Sequence, residues 1–405
     1  RRWTSWWPPC RFDAPESPFP LLRGALGRWI DRVVMPPTYQ SFEGVPGARK
    51  LQVLRRKRGR VGAWLVMPSP AIPNMFVRST PGAMGGGAPR AAVLYQHGRF
   101  GHRGTRPRTR LYAKLAGDVG IPVVTFDGRG FADSAPVDEH EGGEPSERTL
   151  LEDAYAVWGE MLASEPTGGL GLTPDRVVVW GHGLGAALAA NLCTYLVRKG
   201  TPPACLVLEA PFLSASSVVA SRFPAQLMGV PLAARVQEYA DKVITQHRYD
   251  LEDRLREIAS TGDVPVLLLA AVSDAVVPAW HAERLADMAC TLSASPRIVY
   301  QRFDGCGHDD IPAHQRFVPI VSSFLHAALA PSLPSVPPSV RGARTLSGQF
   351  SPAMMMGLDP RSSTSNAGLG GRGQGPNSSA ANGTGGGRDV AASSASELFD
   401  DPVLV

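Results

Sequence analysis

VVVWGHGLGAALAANL, from Val177 to Leu192, is the stretch whose reading decides the fold. It opens as a short apolar run suited to a strand buried on both faces, breaks at Gly181, Gly183 and Gly185, and restarts as a helix. Leu184, Leu188, Leu192 and Leu196 then share one helical face. A strand-to-helix turn this tight needs small residues at its flanks, where side chains would collide with sheet or helix, and it strains its central residue. Nucleotide-binding loops also join strand to helix through glycine, so this stretch alone leaves the chemistry open.

Working outward, the same kind of apolar run recurs as AAVLYQHG, IPVVTFDGRG, ACLVLEAPF, VPVLLLAAVSD and RIVYQRFDG. Runs without polar alternation, bounded by glycine, predict strands covered on both faces. Helical patterns fill the gaps, with Leu151, Tyr155, Trp158 and Leu162 placed on one face. KLQVLRR and GRVGAWLVMP predict an antiparallel hairpin with a solvated basic turn at Arg55, Arg56, Lys57, Arg58 and Arg60. Strand and helix in alternation predict an α/β fold: a mainly parallel sheet of about eight strands with helices on both faces. An excursion over about residues 212–262 falls where an insertion would stand over the carboxyl ends of the strands, as a short lid or as extra helical packing.

This pattern occupies residues 39–330 of a chain of 405. Residues 1–38 carry Trp3, Trp6, Trp7 and Trp29, half of the eight tryptophans, beside Arg1 and Arg2. That composition suits a membrane interface, or a terminus that docks its rings on the domain. The chain begins at Arg1, which reads as a fragment or processed product with room for an upstream anchor. Residues 331–405 are dominated by Ser, Gly, Pro and Ala and are expected to be disordered. The net charge of +5 comes from separate basic runs without interleaved aromatics, which argues against nucleic acid. Five cysteines without CxxC spacing argue against a disulfide framework or a zinc site, and fit an intracellular or membrane-facing setting. No apolar run reaches the roughly 18 residues of a membrane span.

Two further stretches give the glycine turn a chemistry. SDAVVP puts Asp274 directly after the seventh predicted strand, and FDGCGHDDI puts His308 in a loop directly after the eighth. In an acyl-transfer triad on this architecture the nucleophile, the acid and the histidine follow in that chain order from strand ends. The nucleophile position of a GxSxG elbow is Gly183, which has no side chain. After the third strand, YQHGRFG could supply an oxyanion hole from the backbone of Arg99 together with that of Leu184. None of Ser134, Cys306 and His182 is a convincing substitute nucleophile: Ser134 reads as structural, Cys306 as facing away from the elbow, and His182 as pointing into the scaffold.

With these parts placed, the chain resembles the α/β-hydrolase superfamily, and within it the membrane-associated monoacylglycerol lipase and lysophosphatidylserine lipase family. The likeness covers most of Ala91 to Leu325 and extends to GIPVVTFDGRGFADS, WGHGLG, TPPACLVLEAPF and SDAVVP. The resemblance implies serine-type hydrolysis of a monoacylglycerol or lysophospholipid ester at an endomembrane such as the endoplasmic reticulum, with no metal or organic cofactor. The serine would attack, the histidine carry the proton and the aspartate fix the tautomer. The chain departs from the family at Gly183, which excludes an acyl-enzyme there, and at Arg99 and Phe100, where the family usually has small residues. The alternative is a pseudohydrolase that binds a lipid or a partner without turnover. Arg99, Arg103, Arg106, Arg108 and Arg110 lie beside the site, either to attract an anionic headgroup or membrane surface or as a solvated basic loop.

Overall fold

The computed structural model describes residues 48–54, 60–69, 75–77, 88–132, 134, 145–165, 168–244, 247–262, 264–292 and 297–330. The Trp/Arg-rich start, the basic hairpin turn before Arg60 and the Ser/Gly/Pro-rich end lie outside the described residues.

Strands β1 (Ala48–Leu54) and β2 (Arg60–Val66) form an antiparallel hairpin. Strands β3 (Ala92–Gln96), β4 (Val123–Phe126), β5 (Val177–His182), β6 (Cys205–Glu209), β7 (Val266–Ala271) and β8 (Ile298–Phe303) follow. They make one eight-stranded sheet in the order β1-β2-β4-β3-β5-β6-β7-β8, antiparallel at β1/β2 and β2/β4 and parallel thereafter.

Period-two alternation divides each central strand between two cores. Ala92 and Leu94 join one cluster while Val93 and Tyr95 join the other; in β5, Val177 and Val179 part from Val178 and Trp180 in the same way. Helices α1 (Arg106–Lys114) and α7 (Phe317–Leu329) cover one face. Helices α2 (Glu147–Leu162) and α3 (Leu184–Arg198) cover the other. Every residue of β3 to β7 is buried, as their unbroken apolar runs require. The eighth strand differs from expectation: Ile298, Val299 and Tyr300 are only half-buried because β8 is the sheet's edge.

Helix α2 also turns differently from its apolar pattern. Leu150, Ala154, Val157, Trp158 and Met161 are buried, whereas Leu151, Tyr155 and Leu162 lie at the rim. The buried face also takes in Asp153, fully buried, which accepts hydrogen bonds from the Arg129 amide at 2.7 Å and guanidinium at 2.6 Å.

Over residues 212–262 the chain forms α4 (Ala215–Ala220), α5 (Leu232–Val243) and α6 (Leu251–Thr261). Both ends belong to the core: Phe212 and Leu213 are buried, as are Leu251, Leu255 and Ile258 of α6. Only the middle stands out, with a tight turn closed by Leu227 and Val230 that leaves Met228 98% exposed.

In the parallel register Gln96 pairs with Gly181 and His182 with Glu209, so the carboxyl ends of β3, β5 and β6 finish side by side. Ligand clefts of open α/β sheets form outside such ends.

Candidate active site

The turn between β5 and α3 is held by two glycines with no room for a side chain. A Cβ on Gly181 would lie 2.0 Å from the Gly185 carbonyl oxygen, and one on Gly185 would lie 2.1 Å from that of Gln96. Gly183, between them, has a different constraint. Its backbone sits at φ 53° and ψ −116°, a region that L side chains rarely adopt, and a Cβ there would meet only the His308 imidazole, with Nε2 at 3.1 Å. Its amide donates to the Glu209 carbonyl at 2.9 Å, tying the turn to β6.

His308 reaches Gly183 from the loop after β8, and its Nδ1 donates to Asp274 Oδ2 at 2.7 Å. Asp274 leaves the end of β7, and its Oδ1 accepts the amides of Val276 and Val277, each at 2.7 Å. Burial pushes the Asp274 carboxyl up, but the imidazole and these two amides outweigh it and hold it below the usual aspartate range. On His308 burial works against the charge, yet Asp274, with Asp309 and Glu209 farther off, keeps its pKa above the usual imidazole value. The structure thus brings Gly183, Asp274 and His308 together with Nε2 facing the elbow and the tautomer fixed by the acid, the arrangement that accepts a proton from a nucleophile.

His182 is buried as expected from its place before the elbow centre, but it is not remote from the site. Its Nε2 lies 3.0 Å from the His308 carbonyl oxygen, and the two rings are 4.5 Å apart. Burial and then the neighbouring His308 lower its pKa to about 4, so at neutral pH it is uncharged and its Nε2–H supports the His308 backbone. A Cβ on Gly98 would come within 2.9 Å of His182 Nδ1, which explains the glycine in YQHG. Ser134 is fully buried and accepts the Gly62 amide at 2.7 Å. Cys306 packs into the core with Trp180 and Phe317, on the far side of the sheet from α3.

The loop after β3, which carries Arg99, is shaped by two arginines that sequence reasoning had placed in a basic surface. Arg108 is buried, and its guanidinium donates to the carbonyls of His102 at 2.7 Å, Gly98 at 3.0 Å and Phe100. Arg103, 1% exposed, pairs with the buried Asp127, stacks over Trp64 and donates its own amide to Asp127 at 2.7 Å. His97 Nε2 lies 2.9 Å from the same carboxylate. These two cations are therefore structural, while Arg106 and Arg110 are exposed and Arg99 is half-buried at the site.

A cavity of about 310 Å³ opens at Gly183. Arg99, His308 and Asp309 are among its polar lining, and Phe100, Leu184, Phe212, Val218, Tyr249 and Val277 are among its apolar walls.

A family model described as serine aminopeptidase, S33, matches residues 87–258, a range that holds the elbow and ends before Asp274 and His308. The chain has the α/β-hydrolase fold. Solved α/β-hydrolases share the fold: one from Vibrio vulnificus superposes with a TM-score of 0.51 at 17% identity, covering 78% of this chain and 95% of that one. An esterase from Pyrococcus furiosus gives 0.50 at 14% identity, covering 73% and 97%. Among curated relatives, lysophosphatidylserine lipase ABHD12 of Danio rerio is 33% identical over 241 residues, 58% of this α/β-hydrolase and 58% of the relative. The Mus musculus protein of the same name is 40% identical over 122 residues, 30% of this chain and 27% of its own. The alignment thus spans a little over half the length of the zebrafish protein and less of the mouse one. No helix among the described residues is long and apolar enough to cross a membrane.

Proposed function

We propose that this α/β-hydrolase binds a single-chain lipid ester, a lysophospholipid or monoacylglycerol, and does not turn it over through an acyl-enzyme. Relatives named as lysophosphatidylserine lipases support the ligand class. An apolar cavity ending at a histidine and at the first amide of a helix supports the mode of binding. The observation that carries the reading is Gly183 itself: His308 Nε2 faces the elbow, 3.1 Å from where a Cβ would stand, and no side chain is there. Backbone amides of Arg99 and Leu184 would receive the ester carbonyl, since such donors do not depend on the missing serine.

A second reading, a serine-type lipid ester hydrolase by descent, is favoured by the intact Asp274–His308 pair. Approach from an endomembrane surface fits either one. The chain that leaves α4 at the cavity exposes Phe223, Leu227, Met228 and Val230. No metal or cofactor has a role in the proposed chemistry.

The test pairs the full chain with its Gly183→Ser variant, measuring fluorophosphonate labelling, binding of monooleoylglycerol and of oleoyl-lysophosphatidylserine, and release of oleate. Binding by both proteins, with labelling and oleate release by the variant alone, is the expected result. Labelling of the parent chain would show another activated serine, and failure of both lipids to bind would overturn the lipid-binding reading.

A further inference from the structure

In a hydrolase with an elbow serine, the hydroxyl occupies the point His308 Nε2 faces and hydrogen-bonds to it. Here that point is vacant of side chain, and among the described residues Nε2 has no hydrogen-bond partner, while Nδ1 is fully committed to Asp274 at 2.7 Å. The imidazole is therefore aimed at the inner end of an apolar cavity of about 310 Å³ by an acid that is itself anchored on two amides. We propose that this vacated position is a seat for the carboxyl group of a free fatty acid, held between His308 Nε2 and the Leu184 amide with its alkyl chain along Phe212 and Val218. The inference rests on the lipid-binding reading above and names a different ligand for the same cavity, the acid rather than the ester.

The chemistry distinguishes acid from ester. A carboxylic acid gives its proton to Nε2 and remains as a carboxylate on a charge-assisted hydrogen bond, with Asp274 stabilising the imidazolium through Nδ1. An ester or alcohol has no such proton transfer and makes only a neutral contact. The nearby charges divide. Arg99 at the cavity favours a carboxylate, and Asp309, also lining it, opposes one. His182 beneath the ring is neutral, and no bond is made or broken apart from the proton shift. A serine at position 183 would fill the seat and compete for the same nitrogen, so the glycine turns a point of attack into a point of retention.

Isothermal titration of the full chain with dodecanoate and with dodecan-1-ol, both below their aggregation concentrations, reads this directly. Dodecanoate is expected to bind at least about tenfold more tightly than the alcohol, the scale of one charge-assisted bond. In His308→Gln that preference should vanish while the alcohol still binds, which shows that the cavity is folded. Gly183→Ser should weaken dodecanoate and leave the alcohol within about twofold. Equal affinity of the parent for acid and alcohol, or an acid preference that survives in His308→Gln, would overturn the carboxylate seat and leave the lipid cavity standing. Failure of both ligands to bind the parent would overturn both readings together.

Discussion

Restoring a serine at position 183 should make the protein reactive and less stable at once. The backbone at φ 53° and ψ −116° is a conformation glycine adopts freely and other residues hold at a cost of about 1 to 3 kcal/mol. The new Cβ would also meet His308 Nε2 at 3.1 Å, but that neighbour is a side-chain ring that can yield by a few tenths of an ångström, so the backbone term dominates. A domain of this size loses about 2 to 4 °C of Tm per kcal/mol, which puts the expected fall for Gly183→Ser at roughly 2 to 12 °C. Gly183→Ala separates the two consequences: it should lose about as much stability and gain no fluorophosphonate labelling. Differential scanning calorimetry of the three proteins at one pH measures the cost. A serine or alanine variant that melts at or above the parent temperature would refute the claim that the turn is strained. A folded serine variant that does not label would refute the assembly of His308 and the oxyanion donors around it.

Other perturbations probe the scaffold of the site. In the Gly183→Ser background, Asp274→Asn should cut the labelling rate by about 10⁴-fold, because an amide donating toward Nδ1 imposes the wrong tautomer on His308; stopped-time labelling would check it. Burial raises the Glu209 carboxyl from its ordinary 4.5 to about 7, against the Trp180 indole that donates to it at 3.1 Å. The native state then keeps a proton that the unfolded chain releases, so stability falls as pH rises from about 4.5 to 7, by roughly 3 kcal/mol in all. Glu209→Gln should remove that fall, which urea unfolding at pH 5 and pH 8 would show as a flatter difference than in the parent chain. Asp127→Asn leaves the buried Arg103 guanidinium without its counter-charge and should cost about 3 kcal/mol in the same unfolding assay; a loss under about 1 kcal/mol would mean that the pair contributes little to the loop.

The parts of this fold that could be read from the sequence are those in which neighbours along the chain are also neighbours in function. Strands β3 to β7 are continuous apolar runs because they are covered on both faces, and Asp274 and His308 stand at strand ends that glycine and proline mark. What escaped the sequence was pairing across distance. Arg103 and Arg108 look like surface charges until Asp127 and the carbonyls of the loop are folded against them. On α2 the sequence pattern groups Leu151, Tyr155, Trp158 and Leu162, whereas the buried face runs through Leu150, Ala154, Val157 and Met161 and includes Asp153, paired with Arg129. His182 was legible as buried, but its contact with the His308 carbonyl spans 126 residues and leaves no local signal.

The cavity walls also differ in stiffness. On one side Arg108 binds three carbonyls of the loop and Asp127 anchors Arg103, so the loop can shift only by breaking buried, charge-assisted hydrogen bonds. The cavity is also lined by Ala215 and Val218 of α4, and the segment that continues from that helix, Phe223 through α5, is mostly exposed and adds few residues to either core. Local opening should begin there, where little burial is lost. A lipid seated as proposed would meet a vice with one fixed jaw: the loop that carries Arg99 would hold its shape, and differences in ligand bulk would be taken up by movement on the side of α4.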